Sequence, residues 1–353
     1  MRLIGDVILT TPLIGLLKSA YPDAAIDFLV TRKTGEFLEK DPRIRRVIYH
    51  QQFDVDRNVH IKGEGYFRQI ARQYDMAINM NRSDRGNFAV VLAGKRWRVG
   101  FYDESGFVKD FWKKLLLTHL IKFEPYVHIA YMCRMVADAV GIAAERLECK
   151  VFWDADDEHM VESRVPAKEK GLRYFVIHPF ARARYKYWRF ERFVEVSDRI
   201  ATQYGLQPVW TSSPLPDEVD LLERLAAQCK HRPITIPGTF NLNQMTCLLA
   251  GASLYVGLDT AITHLAATTG IPMVALFGST PTVYWAPWDN TVPADEQRSI
   301  AKGKRPSNHI EIIQKEWECV PCSFQGCNGN GEESPCLLEI GSDEVLRAVE
   351  RLL

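Results

Sequence analysis

The chain has 353 residues, 46% hydrophobic and 25% charged, with 44 basic and 44 acidic side chains. This composition excludes a disordered or fibrous protein, and the length favours two domains of roughly 150 residues or slightly more over one core. The charge balances overall but not locally, since residues 1–150 hold 24 Lys and Arg against 18 Asp and Glu and the remainder 20 against 26. A basic first half suits an anionic partner or an uneven solvated face. No apolar run approaches the ~20 residues of a membrane span. The opening MRLIGDVILTTPLIGLL is interrupted by Asp6 and lacks a convincing cleavage site, so the expected compartment is the cytoplasm. Eight cysteines in a chain this long do not indicate a secreted disulfide scaffold.

The first half alternates short β-like runs with amphipathic stretches. Residues 12–21 read as a helix with Leu13, Leu16 and Leu17 on one face, 25–30 as a strand and 34–40 as a short helix. Strands follow at 47–50, 76–80 and 97–100, with helices at 65–74 and 85–92. Residues 102–127 show no clean period and read as an excursion or lid, before a helix at 129–140. Residues 1–155 are thus expected to form one domain, 156–172 a polar linker and 173–353 a second domain. The second series has strands at 174–178, 207–211, 234–236, 254–257 and 273–277. Helices are expected at 190–204, 218–229, 242–250 and 261–270, and a capped final helix at 342–353. Two such doubly wound domains facing each other would form a central cleft at the carboxyl ends of their strands.

LYVGLDTAITHL carries the clearest chemistry. An apolar strand runs into Gly257, and Asp259 and Thr260 precede a helix opening at Ala261. The free N–H groups and dipole of that helix start suit a diphosphate, with the Thr260 hydroxyl and His264 on the same side. Read alone, the motif is better explained by Asp259 or Thr260 as a helix cap and His264 as a packing residue.

The longer stretch VGLDTAITHLAATTGIPMVALFGSTPTVYWAPW (256–288) resembles the donor-site signature of glycosyltransferase family 9, the lipopolysaccharide heptosyltransferases. Residues 4–30 resemble the family's opening, and HPFARARYKYWRFERFVEV (178–196) resembles the start of its second domain. NRSDRGNFAVVLAGKRWRVGF (81–101) is most similar to the heptosyltransferase III subgroup. The resemblance implies an α/β GT-B fold of two Rossmann-like domains. It implies inverting transfer of L-glycero-D-manno-heptose from ADP-heptose to a heptose of the lipopolysaccharide inner core, at the cytoplasmic face of the inner membrane. No cofactor and no nucleic acid are implied. The alternatives are another nucleotide-sugar or core acceptor on the same fold, or a catalytically impaired nucleotide-binding protein.

By position, the resemblance makes Asp6 the base that deprotonates the acceptor hydroxyl, where otherwise it would read as a cap or turn residue. Lys186 aligns with a lysine on the donor phosphates, stabilising the departing ADP. Glu218 aligns with the ribose-binding carboxylate, Phe240 with the residue against adenine, and Asp259, Thr260, Ala261 and His264 with the diphosphate and sugar site. Thr10 and Thr11, with Lys95, Arg96 and Arg98, are candidates to meet the acceptor. Two departures stand out: the family has Gly where this chain has Ala261, and it has a full β-strand before I-G-D. A sheet without that strand is expected to leave its neighbours unpaired. Cys319, Cys322, Cys327 and Cys336 match the family's C-terminal pattern, and their spacing is also compatible with a zinc site. The resemblance implies no metal in catalysis. Between 95 and 122, Lys109, Lys113 and Lys114 lie among Phe101, Phe111 and Trp112, as on a membrane-facing or phosphosugar-binding surface, or as the basic rim of a buried aromatic face.

Overall fold

The computed structural model describes residues 3–50, 53–54, 59–60, 66–103, 107–299 and 307–353, with side chains for all of these except 53–54, 59–60, 107–109 and 168. The chain divides into two compact units, Met1–Cys149 and Lys150–Leu353.

In the first unit, β1 (Ile26–Thr31) and β2 (Ile44–His50) pair in parallel, and β3 (Phe53–Asp54) meets β4 (Val59–His60) in a short antiparallel ladder. A separate parallel sheet has the order β5 (Tyr74–Ile78), β6 (Gly94–Tyr102), β7 (His119–Lys122). Among the described residues, no strand pairs with the second edge of β1 or of β5. The two sheets nevertheless touch. The Tyr74 hydroxyl donates to Asp27 Oδ2 at 2.7 Å, and Leu29, Ile48 and Ala77 share an apolar cluster with the helices Tyr66–Ile70 and Asp84–Ala93. Burial pushes the Asp27 carboxyl up, but hydrogen bonds from Arg45, Tyr74 and Arg46 together outweigh it and leave the group below its ordinary range.

Residues 102–127 are more regular than their sequence pattern suggests, holding the helix Phe107–Leu116 and strand β7. Within that helix Asp110 and Lys113 are buried while Phe111, Leu115 and Leu116 are exposed, so its apolar face is turned away from the packing side. The expected helix at 129–140 begins with a 3-10 turn, Ile129–Tyr131, capped by the His128 ring at 3.2 Å from Ala130 N–H.

Residues 156–172, read above as a linker, include most of the helix Ala155–Arg164 and all of the short helix Ala167–Lys170. Asp154 and Asp157 close the first helix start as a reciprocal capping box, at 3.0 and 3.2 Å. The helix contacts the helix Leu242–Ala250 within the second unit. Its polar composition is that of a surface helix, anchored through buried Val161.

The second unit is a six-stranded parallel sheet of β8 (Tyr174–His178), β9 (Gln207–Ser212), β10 (Ile234–Pro237), β11 (Leu254–Leu258), β12 (Met273–Leu276) and β13 (Ile310–Ile313). Its order is β10-β9-β8-β11-β12-β13, the 3-2-1-4-5-6 arrangement of a doubly wound sheet. Every residue of β8, β11 and β12 is buried, as parallel strands covered on both faces must be. Trp188 and Trp210 fill the core only because their indoles find partners, Ile340 O at 2.8 Å and Ser197 Oγ at 3.1 Å. The final helix Ser342–Leu352 adds Val345, Leu346, Ala348 and Val349 to that core. Among the described residues, no helix is long and apolar enough to cross a membrane.

Candidate functional site

The strand order of the second unit reverses between β8 and β11, and the chain leaves the carboxyl ends of these two strands in opposite directions. The β8 loop carries a 3-10 turn, Arg184–Lys186, and the β11 loop carries Asp259 into the helix Ala261–Thr269. Lys186 Nζ lies 2.6 Å from Asp259 Oδ2 and 3.4 Å from Asp259 O. The Asp259 side chain is 8% exposed and that of Lys186 26%, so this is a half-sheltered pair, beyond a screened surface contact. Thr260 is the N-cap residue, with φ −142° and ψ 173°, but its hydroxyl does not cap the helix. The first N–H groups of a nine-residue helix are thereby left to other acceptors, beside an ammonium group. Ala261 opens that helix and His264, one turn in, is buried. The arrangement suits a multiply charged anion.

Glu218 and Phe240 come from the loops after β9 and β10. Glu218, in the first turn of the helix Pro216–Ala226, is half-buried and accepts from Ser213 N–H at 3.0 Å through Oε2. Phe240, also half-buried, follows the turn at Gly238. Gly238 has φ +63°, and a Cβ there would lie 2.3 Å from Pro214 N, so only glycine lets these two loops meet. Lys186, Asp259, Thr260, Ala261 and His264 thus share the β8–β11 switch point, and Glu218 and Phe240 lie on the two loops that Gly238 joins.

Three further side chains belong to this region and were not singled out from the sequence. His178 ends β8 opposite Gly257 of β11, with Nδ1 2.8 Å from Thr211 Oγ1. Burial pulls its pKa down to about 4, so it sits neutral beside the switch point. Tyr187, next to Lys186, has its phenol pushed up first by burial and then by the charge of Glu218, which relates the lysine turn to the carboxylate loop. Tyr255 is fully buried within β11, and its hydroxyl is 2.9 Å from Thr263 Oγ1, bracing the helix against the strand that leads into it. A buried tyrosine or histidine in a strand has no spacing signature, so only the fold reveals these contacts.

In the first unit, Asp6 lies on the short helix Ile4–Ile8, half-exposed, and accepts from Leu3 N–H at 3.4 Å. Thr10 and Thr11 are buried, and their hydroxyls donate to Val7 O at 2.8 Å and Ile8 O at 2.7 Å. These two threonines therefore present no hydroxyl at the surface. Lys95 and Arg96 are exposed at the start of β6, whereas Arg98 directs Nε to Leu116 O at 2.6 Å and Nη1 to Lys95 O at 3.3 Å.

Cys319 and Cys327 are exposed, Cys322 is half-buried and Cys336 is buried. The Cys336 thiol is raised first by burial and then by the neighbouring Cys322, Cys327 and Cys319. The four thiols thus share one loop region, although among the described residues no group of three or more His, Cys, Asp or Glu is arranged to hold a metal.

A complete switch point with an open helix start and a sheltered lysine defines the second unit as a doubly wound α/β module suited to a phosphate-bearing ligand. Residues 66–314 match the model of glycosyltransferase family 9 (heptosyltransferase), and the chain belongs to that family. It is a glycosyltransferase. Lipopolysaccharide heptosyltransferase 3 of Escherichia coli strain K12 is 30% identical over 305 residues, covering 83% of this chain and 85% of that protein. The lipopolysaccharide core heptosyltransferase OpsX of Haemophilus influenzae is 24% identical, covering 88% of each. The GT-B fold is shared with solved structures. The glycosyl transferase family 9 protein of Veillonella parvula superposes with a TM-score of 0.72 at 19% identity, over 100% of this chain and 94% of that one. E. coli heptosyltransferase WaaC with ADP gives 0.70 at 16% identity, over 100% of this chain and 98% of that one.

Proposed function

We propose that the protein transfers L-glycero-D-manno-heptose from ADP-heptose to a heptose of the lipopolysaccharide inner core, inverting the anomeric carbon, at the cytoplasmic face of the inner membrane. The relatives named for lipopolysaccharide heptosyl transfer support the reaction, and they match this chain over most of both lengths. The Lys186–Asp259 pair carries the site assignment. The Lys186 ammonium is held by the Asp259 carboxylate, and the donor diphosphate replaces that carboxylate as its partner. Charge-assisted bonds of this kind contribute about 1.5–3 kcal/mol each, most where the leaving group gains charge.

The helix start at Ala261 supplies N–H donors to the same diphosphate. Glu218 accepts from the ribose hydroxyls, Phe240 lies against adenine, and Asp259 and His264 reach the sugar once Lys186 turns to phosphate. Asp6 is the general base, and Lys95 and Arg96 meet the anionic core acceptor. With positive charge supplied by Lys186 and backbone dipoles, transfer should survive EDTA.

The deciding experiment offers ADP-heptose, and separately other nucleotide-sugars, to a panel of truncated core acceptors. Consumption of ADP-heptose on one core acceptor, with a product of inverted configuration, is the expected result. Turnover of a different donor in its place, or of none, would sink the proposal.

A further inference from the structure

Over its described side chains, 110–116, the helix Phe107–Leu116 is built inside out. Its inward face carries Asp110 and Lys113, 4% and 5% exposed, and Lys113 Nζ sits 3.0 Å from both Asp110 Oδ1 and Asp84 Oδ1. Its outward face carries Phe111 at 55% exposure, Leu115 at 71% and Leu116 at 37%. Trp112 stacks on Phe88 of the helix Asp84–Ala93, with ring centroids 4.4 Å apart, and Phe88 is itself exposed. Burying an ion pair costs desolvation, and leaving large apolar side chains in water forgoes their burial. A helix that does both in a free monomer has its polarity reversed, unless something covers the apolar side.

The surroundings select what covers it. The bond from Arg98 Nε to Leu116 O, at 2.6 Å, ties the middle of β6 to the end of this helix and brings exposed Lys95, Arg96 and Trp97, just before it in the strand, to that side of the unit. Lys114, exposed on the helix itself, adds a further cation, while the acids Asp84 and Asp110 are both paired with Lys113. The patch is therefore apolar and aromatic with a cationic rim. Two copies face to face would oppose like charges, whereas an anionic bilayer offers phosphates to the rim and acyl chains to the rings. We propose that Phe88, Phe111, Trp112, Leu115 and Leu116, rimmed by Lys95, Arg96 and Lys114, form the surface by which this protein seats on an anionic membrane. The inference rests on the lipid-linked acceptor of the function proposed above.

Co-sedimentation with vesicles of phosphatidylglycerol and phosphatidylethanolamine in equal parts, against phosphatidylcholine alone, tests it. The full chain should sediment with the anionic vesicles only. Phe111→Ser with Leu115→Ser should weaken that binding by about tenfold or more, and Lys114→Glu by several-fold. Both side chains of the double variant are more than half exposed, so it should keep its fold, which its melting temperature checks, and its transfer to a delipidated core oligosaccharide should stay close to the parent's. Unchanged vesicle binding in the double variant overturns the proposal, as does absence of binding by the parent. A parent dimer that the double variant dissociates would identify the patch as a contact between copies and overturn it too. If the parent fails to glycosylate the delipidated acceptor yet binds vesicles through this patch, the functional reading fails and the surface stands.

Discussion

In the second unit β8 and β11 lie side by side, in register from Phe175–Leu254 to His178–Gly257, and the candidate donor site grows from their paired ends. In the first unit the strands where its two sheets approach, β1 and β5, are each paired on one side only among the described residues, and they meet through Tyr74 and Asp27. A parallel sheet fixes its loops through the ladder beneath them, so the Lys186–Asp259 geometry inherits the rigidity of a buried six-stranded core. Asp6 stands instead on a five-residue helix, whose anchors are the buried Val7 and Ile8 that follow it. The expected base and the expected donor site thus differ in how firmly the fold holds them.

The sharpest way to break that contrast is Asp6→Asn. If Asp6 is the base, turnover falls by roughly 10²–10⁴-fold while ADP affinity, measured calorimetrically, stays the same. Undiminished transfer would remove Asp6 from the chemistry and leave the first unit without a catalytic assignment.

Gly238→Ala attacks the second unit where its loops meet. The positive φ and the 2.3 Å approach to Pro214 predict a loss of about 3 kcal/mol in unfolding free energy, with weaker ADP binding. Urea melts with unaltered midpoint would show that the Glu218 and Phe240 loops do not depend on this contact.

His178 gives a pH test of comparable size. Its native pKa of about 4 lies below the unfolded value near 6.5. The unfolded chain therefore takes up the proton first as pH falls. Stability from this group is complete above about pH 6.5 and declines progressively toward pH 4, by roughly 3 kcal/mol. His178→Gln should flatten that part of the stability profile, and an identical profile in the variant would place the titration elsewhere.

Lys186→Ala is the smallest of these perturbations. Losing one half-sheltered charge partner should weaken ADP binding about 10–100-fold and lower turnover with it. Affinity that does not move would separate the lysine from the diphosphate and leave the open helix start as the anion's main support.

Much of the second unit was legible from its residues. Continuous apolar runs such as YFVIH and MVALF mark strands buried on both faces, and the helices between them follow a regular 3.6-residue period. The first unit was harder to read between 102 and 127. There Asp110 and Lys113 are turned inward and Phe111 and Leu115 are left exposed, so a reading that places apolar side chains in the core picks the wrong face of the helix. The segment 156–172 misleads in the opposite way, since a polar surface helix and a linker share a composition.

Alternating strands and helices, the Asp-Thr step into a helix and the family resemblance were all fixed by sequence, because each depends on local spacing. Tertiary structure alone decided that Lys186 reaches Asp259, 73 residues away, and that Gly238 lets two loops touch. It also decided that Thr10 and Thr11 turn their hydroxyls inward and that Phe111 and Leu115 face out. Contacts of that kind arise when distant segments share one core, and which face of an element is buried depends on what lies against it. Residue order states the pattern, and packing assigns its direction.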